Sequence, residues 1–298
     1  MDTEERNPRT QEIDVVSTLE LVGRINEEDR KVAPKVAEAL PQIAAAIDEI
    51  AARMRDGGRL FYIGAGTSGR LGVLDAVECV PTYGVDPSLV QGILAGGHRA
   101  CYTSIESTED DPAQGEADLR EAGLTARDAV VGIAASGRTP YTRGGVQYAR
   151  RIGALTVAVC CNRGAPISED AEIAVEAETG AEVIAGSTRM KAGTAQKMIL
   201  NMISTGVMIR LGHVFQNLMV NVHLKNAKLI DRGTRIVCEL TGAPRARASE
   251  ILAETGDVRA AVVALSLGLS GPEAASRLRQ ADGSLRRALK NETDGAGS

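Results

Sequence analysis

The sequence predicts an α/β protein: a doubly wound parallel sheet in three αβα layers, preceded by helices and followed by a small helical module. Three observations carry this. Apolar runs that end in Gly/Ser/Asn turns recur at 60–63, 89–94, 129–134, 155–160 and 172–176. Helical patterns lie between several of them, at 69–79, 112–122 and 140–152, and such alternation builds a parallel sheet covered on both faces. On either side of this block the apolar spacing is helical only.

In chain order, residues 1–12 are polar and read as an arm. From Ile13 to Asp29, Val15, Leu19, Val22 and Ile25 recur at three- and four-residue spacing, which predicts an amphipathic helix. A second helix is expected from about Glu27 to Leu40. Pro41 fits the first turn of a third, with Ile43, Ile47, Ile50, Ala51 and Met54 on one face and Gly57-Gly58 as its stop. Leu60 to Ile63 then reads as a buried strand, Gly64 to Gly69 as a backbone-exposing turn, and the next stretch as a helix ending just before Pro81. A long helix is predicted from Thr188 to Leu211, with Ser187 or Thr188 as its N-cap.

After Asn217 the pattern is helical again. Here ASEILAETGDVRAAV (248–262) aligns without gaps on ASRLRQADGSLRRAL (275–289), placing Gly256 over Gly283 and Arg259 over Arg286. Each unit reads as helix, glycine turn, helix. Residues 291–298 form a polar tail. The expected division is an N-terminal helical arm (1–40), a sheet domain (41–214) and a C-terminal helical domain (215–298).

Composition narrows the function. The 298 residues are 44% hydrophobic but only 2% aromatic, without Trp, so the core is aliphatic. A net charge of −5 and the lack of aromatic stacking platforms argue against a nucleic-acid partner. The start, MDTEERNPRT, has no secretory apolar region, and the longest apolar runs are too short to span a membrane. Five cysteines (79, 101, 160, 161, 238) with no CxxC read as reduced core residues of a cytoplasmic protein.

Three hydroxyl-bearing turns are candidates for anion binding. In the first, Gly66, Thr67 and Ser68 lie between strand and helix, where free N–H groups and the helix dipole attract anions. GAGTSG satisfies GxGxxG, but a dinucleotide needs an acidic residue at the end of the next strand, and Asp86 falls in a turn before it. The added hydroxyls suit a phosphate monoester better; a tight turn with no ligand is the plainer alternative. The second turn, Ser136-Gly137-Arg138-Thr139, follows another strand and meets a helix opened by Pro140. Two such turns after parallel strands converge at the carboxyl edge of the sheet and favour a phosphosugar pocket. The third, around Ser187, Arg189 and Lys191, puts two cations at a helix start, where the dipole disfavours them. An anion contact explains that, and pairing with acidic neighbours explains it equally.

Two carboxylates stand out. Glu78 is read at the end of its helix, where the dipole's negative end disfavours ionisation, as a general acid requires. Glu109 lies in the acidic run Glu106–Asp111, whose bland reading is a helix start with Asp111 as cap and Pro112 in the first turn. The three histidines, His98, His213 and His223, have no metal spacing, and no HExxH or GxSxG motif occurs.

In several long segments the chain resembles the N-acetylmuramic acid 6-phosphate etherases, a family built on the sugar isomerase (SIS) fold. The resemblance rests on RNPRTQEID, INEEDRKV, GAGTSGRLGVLDAVECVPTYG, GIAASGRTPY, GSTRMKAGTAQKMILNMIS and NLMVNVHLKNAKLIDR, and covers nearly the whole chain. It implies cleavage of the D-lactyl ether at C3 of the sugar to N-acetylglucosamine 6-phosphate and D-lactate, within cell-wall amino-sugar recycling, with no metal or organic cofactor. It implies Glu78 as the acid for the departing lactate and Glu109 as the base at C2, with Glu106 and Asp110 as alternatives for the base. By analogy with other SIS enzymes it places the 6-phosphate at Ser68, Ser136 and Thr139. It further implies a homodimer with sites shared between chains, and a C-terminal module like the family's small helical, UBA-like end domain. The chain departs from the family pattern at Val80, Ala185 and Asn221, where Pro, Thr and Asp are usual. The rival readings are a sugar-phosphate-binding regulator without turnover, as in the glucokinase regulatory protein, and an aldose–ketose isomerase.

Overall fold

The computed structural model describes residues 2–103, 105 and 108–290. The chain divides into two compact units, Met1–Glu78 with Pro87–Val207, and Cys79–Asp86 with Met208–Ser298. The first unit takes in the first 40 residues together with the sheet, and the second joins the chain from Met208 onward to eight earlier residues.

The first unit opens with α1 (Thr18–Asp29), α2 (Val32–Glu38) and α3 (Leu40–Arg55). The first helix starts five residues later than Ile13, because Ser17 caps it by accepting the Glu20 N–H. Then follow β1 (Leu60–Gly64), α4 (Gly66–Tyr83), β2 (Val90–Leu94), α5 (Pro112–Glu121), β3 (Ala129–Ile133) and α6 (Pro140–Arg151). The block ends with β4 (Leu155–Cys160), α7 (Pro166–Asp170), β5 (Ile173–Glu176) and α8 (Lys191–Arg210). The five strands form one parallel sheet in the order β2-β1-β3-β4-β5, with Leu60 level with Val90 on one side and Ala129 on the other.

Alternation along the strands sends side chains to two covers. Phe61, Ile63 and Val130 pack with Leu119, Tyr141 and Tyr148 of α5 and α6. On the opposite face Tyr62 lies against Gly72 of α4, and its hydroxyl donates to Asp75 at 2.8 Å. Asp75 also accepts from Asn201 at 2.7 Å and Ser204 at 3.1 Å, which ties β1, α4 and α8 together. Burial pushes the Asp75 carboxyl above its ordinary range, only partly offset by these neutral donors.

Two boundaries differ from the sequence reading. The helix after the first turn does not stop before Pro81 but carries it inside the last turn and runs to Tyr83. Pro81 removes the bond to the Val77 carbonyl, and Val77 is 60% exposed, so water can replace it. The long helix starts at Lys191, not Thr188, and its cap is the buried Glu182 carboxylate, which accepts the N–H groups of Lys191 (3.0 Å) and Ala192 (2.9 Å).

The second unit holds a two-strand antiparallel pair that the sequence did not reveal, β6 (Val214–Phe215) with β7 (Leu218–Met219), and then α9 (Ala227–Thr241), α10 (Arg245–Thr255), α11 (Val258–Leu267), α12 (Gly271–Gln280) and α13 (Leu285–Leu289). Its core includes Val237, Leu252, Val258, Val262 and Leu285. The repeat is physical: Gly256 and Gly283 both take positive φ, and Asp257 and Ser284 at matching positions cap the second helix of each half. Asn221 donates to the Tyr83 carbonyl at 2.7 Å, a bond that the usual Asp could not make, and contacts His213 Nδ1 at 3.1 Å. Burial, with some help from Arg259, pushes His213 down to about 4.

Candidate active site

The site is built where the carboxyl ends of β1 and β3 meet the starts of α4, α6 and α8. At the first turn the helix closes onto the strand so tightly that a Cβ at Gly69 would collide with the Gly64 carbonyl. That packing fixes the direction of the first helical N–H groups, and Thr67 and Ser68 line the same turn. Ser68 is buried, and its hydroxyl donates to Gln196 Oε1 of α8 at 3.0 Å. The Thr67 methyl lies beside Gly193, so the first turn and the start of α8 meet.

Glu109 joins this turn to the second one. A Cβ placed on Gly66 would stand 3.1 Å from Glu109 Oε1, so the carboxylate faces the start of α4. The Glu109 carbonyl accepts the Tyr141 N–H at 3.0 Å, in the first turn of α6. The bland reading of its neighbours also holds: Asp111 caps α5 by accepting from Ala113 and Gln114. Asp110 is exposed, and Glu106 lies outside the described residues.

In the second turn Gly137 has φ +70°, and a Cβ there would collide with Ala165. Ser136 Oγ accepts the Arg138 N–H at 3.2 Å, leaving its hydroxyl proton for a ligand. Thr139 holds the N-cap position of α6 without spending its side chain on the cap. Arg138 is exposed.

In the third cluster Ser187 is half-buried and Arg189 exposed. Arg189 makes no ion pair among the described residues, whereas Lys191 follows the ion-pair alternative and not the anion contact. Its side chain is 2% exposed and its ammonium lies 2.8 Å from Glu28 Oε2, so it serves a buried ion pair and not the anion site. Arg9 and Lys31 share the same carboxylate. Burial raises the Glu28 carboxyl, but bonds from Arg9, Lys191 and Lys31 together bring it well below the usual range.

Glu78 is exposed on α4 and, because the helix continues to Tyr83, does not stand at the helix end. The helix-end argument for its proton therefore falls. Gln196 and Asp75 escaped the sequence reading; the one available signal was a polar residue on an otherwise apolar helix face.

Residues 42–150 match the glucokinase regulatory protein N-terminal SIS domain, and residues 113–205 the SIS domain. The N-acetylmuramic acid 6-phosphate etherase of Serratia proteamaculans is 52% identical over 288 residues, 96% of this chain and 97% of that protein. That of Cronobacter sakazakii is 52% identical over 289 residues, 97% of each chain. Among solved structures, a phosphoheptose isomerase from Neisseria gonorrhoeae shares the fold (TM-score 0.51, 14% identity, 64% of this chain and 98% of that one). Identity of this extent over nearly the full length places the chain in the N-acetylmuramic acid 6-phosphate etherase family, on a SIS domain.

Proposed function

We propose that this chain is a carbon–oxygen lyase that converts N-acetylmuramic acid 6-phosphate and water to N-acetylglucosamine 6-phosphate and D-lactate. The observation that carries this reading is Glu109, a carboxylate held between two hydroxyl-bearing turns that suit a phosphate. Opening of the sugar ring exposes a C1 aldehyde, which acidifies the C2 proton. Glu109 takes that proton, the C3–O bond breaks, and an acid protonates the lactate oxygen. Water then adds at C3, and the proton returns to C2. C2 lies six bonds from phosphorus, less than about 9 Å at roughly 1.5 Å per bond, which keeps it in range of a base beside the phosphate.

Glu78 supplies the acid, from a second copy of the chain. It stands twelve residues along α4 from Gly66, about 18 Å at 1.5 Å per residue. Phosphate sits beyond the helix N-terminus, so a sugar bound there would have to double back along the helix to meet its own chain's Glu78. Glu78 is flanked by Leu74 and Val77, 52% and 60% exposed, and Val15, Leu19 and Val22 are exposed as well. Apolar surface of this kind favours pairing in a homodimer. The five cysteines, three of them buried and none in a disulfide, suit a reducing cytoplasm.

Incubation with N-acetylmuramic acid 6-phosphate should release D-lactate; phosphosugar binding without lactate would instead favour the regulator, to which residues 42–150 are similar. Mixing inactive Glu78→Gln and Glu109→Gln chains should then restore about a quarter of wild-type activity, because half of the random dimers regain one intact site. Sites contained within one chain would restore none.

A further inference from the structure

We infer that Gln196 sets the direction of the Ser68 hydroxyl and is thereby a positioning residue for the phosphate, a role that rests on reading the 66–69 turn as a phosphate cradle. Gln196 is fully buried, and its Oε1 accepts the Ser68 proton. Its Nε2 has no hydrogen-bond partner among the described residues. A buried amide nitrogen without an acceptor is costly, and α8 keeps one directly behind the cradle serine.

The donor inventory explains what such an amide can do. A hydroxyl has one proton, and here Ser68 spends it inward. A phosphate oxygen needs a donor, so in this arrangement the Ser68 hydroxyl has nothing to give it. Turning the amide about its last torsion puts Nε2 against Ser68 Oγ as donor, and the hydroxyl proton swings out to a phosphate oxygen. No proton changes owner; only the hydrogen-bond directions reverse. One end of the amide lacks a partner in either orientation, so the fold has little preference between them, and an anion in the cradle decides. That terminal torsion is broad and roughly two-fold, which leaves both orientations open to the side chain. A carboxylate at 196 could only accept and would lock the Ser68 proton inward. A thioether donates nothing and accepts only weakly, so it would leave the hydroxyl free to turn outward.

Calorimetric binding of N-acetylglucosamine 6-phosphate and of plain N-acetylglucosamine tests this. Gln196→Glu should weaken the phosphorylated sugar by at least about tenfold, the loss of a charge-assisted hydrogen bond, and leave the plain sugar unaffected. Gln196→Met should lose less. In a Ser68→Ala background Gln196→Glu should add no further loss, and in turnover the wild-type-background variant should raise KM while kcat at saturation holds. Equal losses with and without Ser68 would reduce the residue to charge repulsion and overturn the inference. So would a Met variant weaker than the Glu variant, which packing alone predicts. If Gln196→Glu unfolds early in a thermal melt, Gln196→Met decides: its affinity must still fall on Ser68→Ala, and indifference to Ser68 overturns the inference. Wild-type lactate release judges the etherase reading separately. A wild type that does not prefer the phosphorylated sugar removes the cradle, and this inference with it.

Discussion

Two carboxylates on α4, three residues apart, have opposite surroundings. Asp75 is buried and holds three neutral donors from β1 and α8, while Glu78 points to solvent beside Leu74 and Val77. One turn of helix separates a group that organises the protein from the group proposed above for chemistry. The difference teaches that acidic residues in one short motif divide by helix face, and that burial does not mark the one proposed to react.

The widest separation should come from activity. Glu78→Gln is expected to cut lactate release by about 10²–10⁴-fold, the usual share of a general acid, with an unchanged melting curve. Asp75→Asn, which keeps the shape, should retain turnover in the folded protein; if both lose activity alike, the division by face is wrong. Next in size is Glu28→Gln, which strands the buried Lys191 ammonium and should cost about 3–5 kcal/mol in chemical denaturation. Asp75→Ala, which leaves Tyr62, Asn201 and Ser204 facing a gap, should cost about 1–3 kcal/mol.

The smallest effect is a difference of sign in pH. The Glu28 carboxyl is held low, so its stabilisation is complete above its ordinary value of 4.5 and lost as pH falls below that. The Asp75 carboxyl is held high, so its contribution is greatest when protonated and declines as pH rises from 3.8 upward. Denaturation of each Gln or Asn variant against wild type, measured from neutral pH into acid, should show the two differences moving in opposite directions. Parallel curves would show that the two surroundings are electrostatically alike.

Much of the frame was legible because it is local. Each of the five strands falls on a mostly apolar run closed by a turn, and Asp111 with Pro112 announces α5 by residue type. The repeat around Gly256 and Gly283 needed only an alignment of the chain with itself. What stayed hidden depends on partners far along the chain. For Lys191 the sequence leaves an anion contact and an ion pair equally open, and the carboxylate that decides, Glu28, comes from 163 residues away. The α8 cap comes from Glu182 instead of the adjacent Ser187 or Thr188. Gln196 stands out only as a polar residue on an apolar helix face, and its partner Ser68 lies 128 residues away. Pro81 misled for a different reason: proline ends a helix only where the lost bond cannot be replaced by water.

In the proposed homodimer, the distance of about 18 Å that α4 puts between Glu78 and the 66–69 turn of its own chain would make inheritance of a defect depend on how alleles combine. Two alleles, one defective at each glutamate, would rescue one another in the same cell, though each alone is null. One allele defective at both would do the reverse: its product, paired with a normal chain, would leave neither site whole. A recessive pair and a dominant poison would thus come from the same two codons.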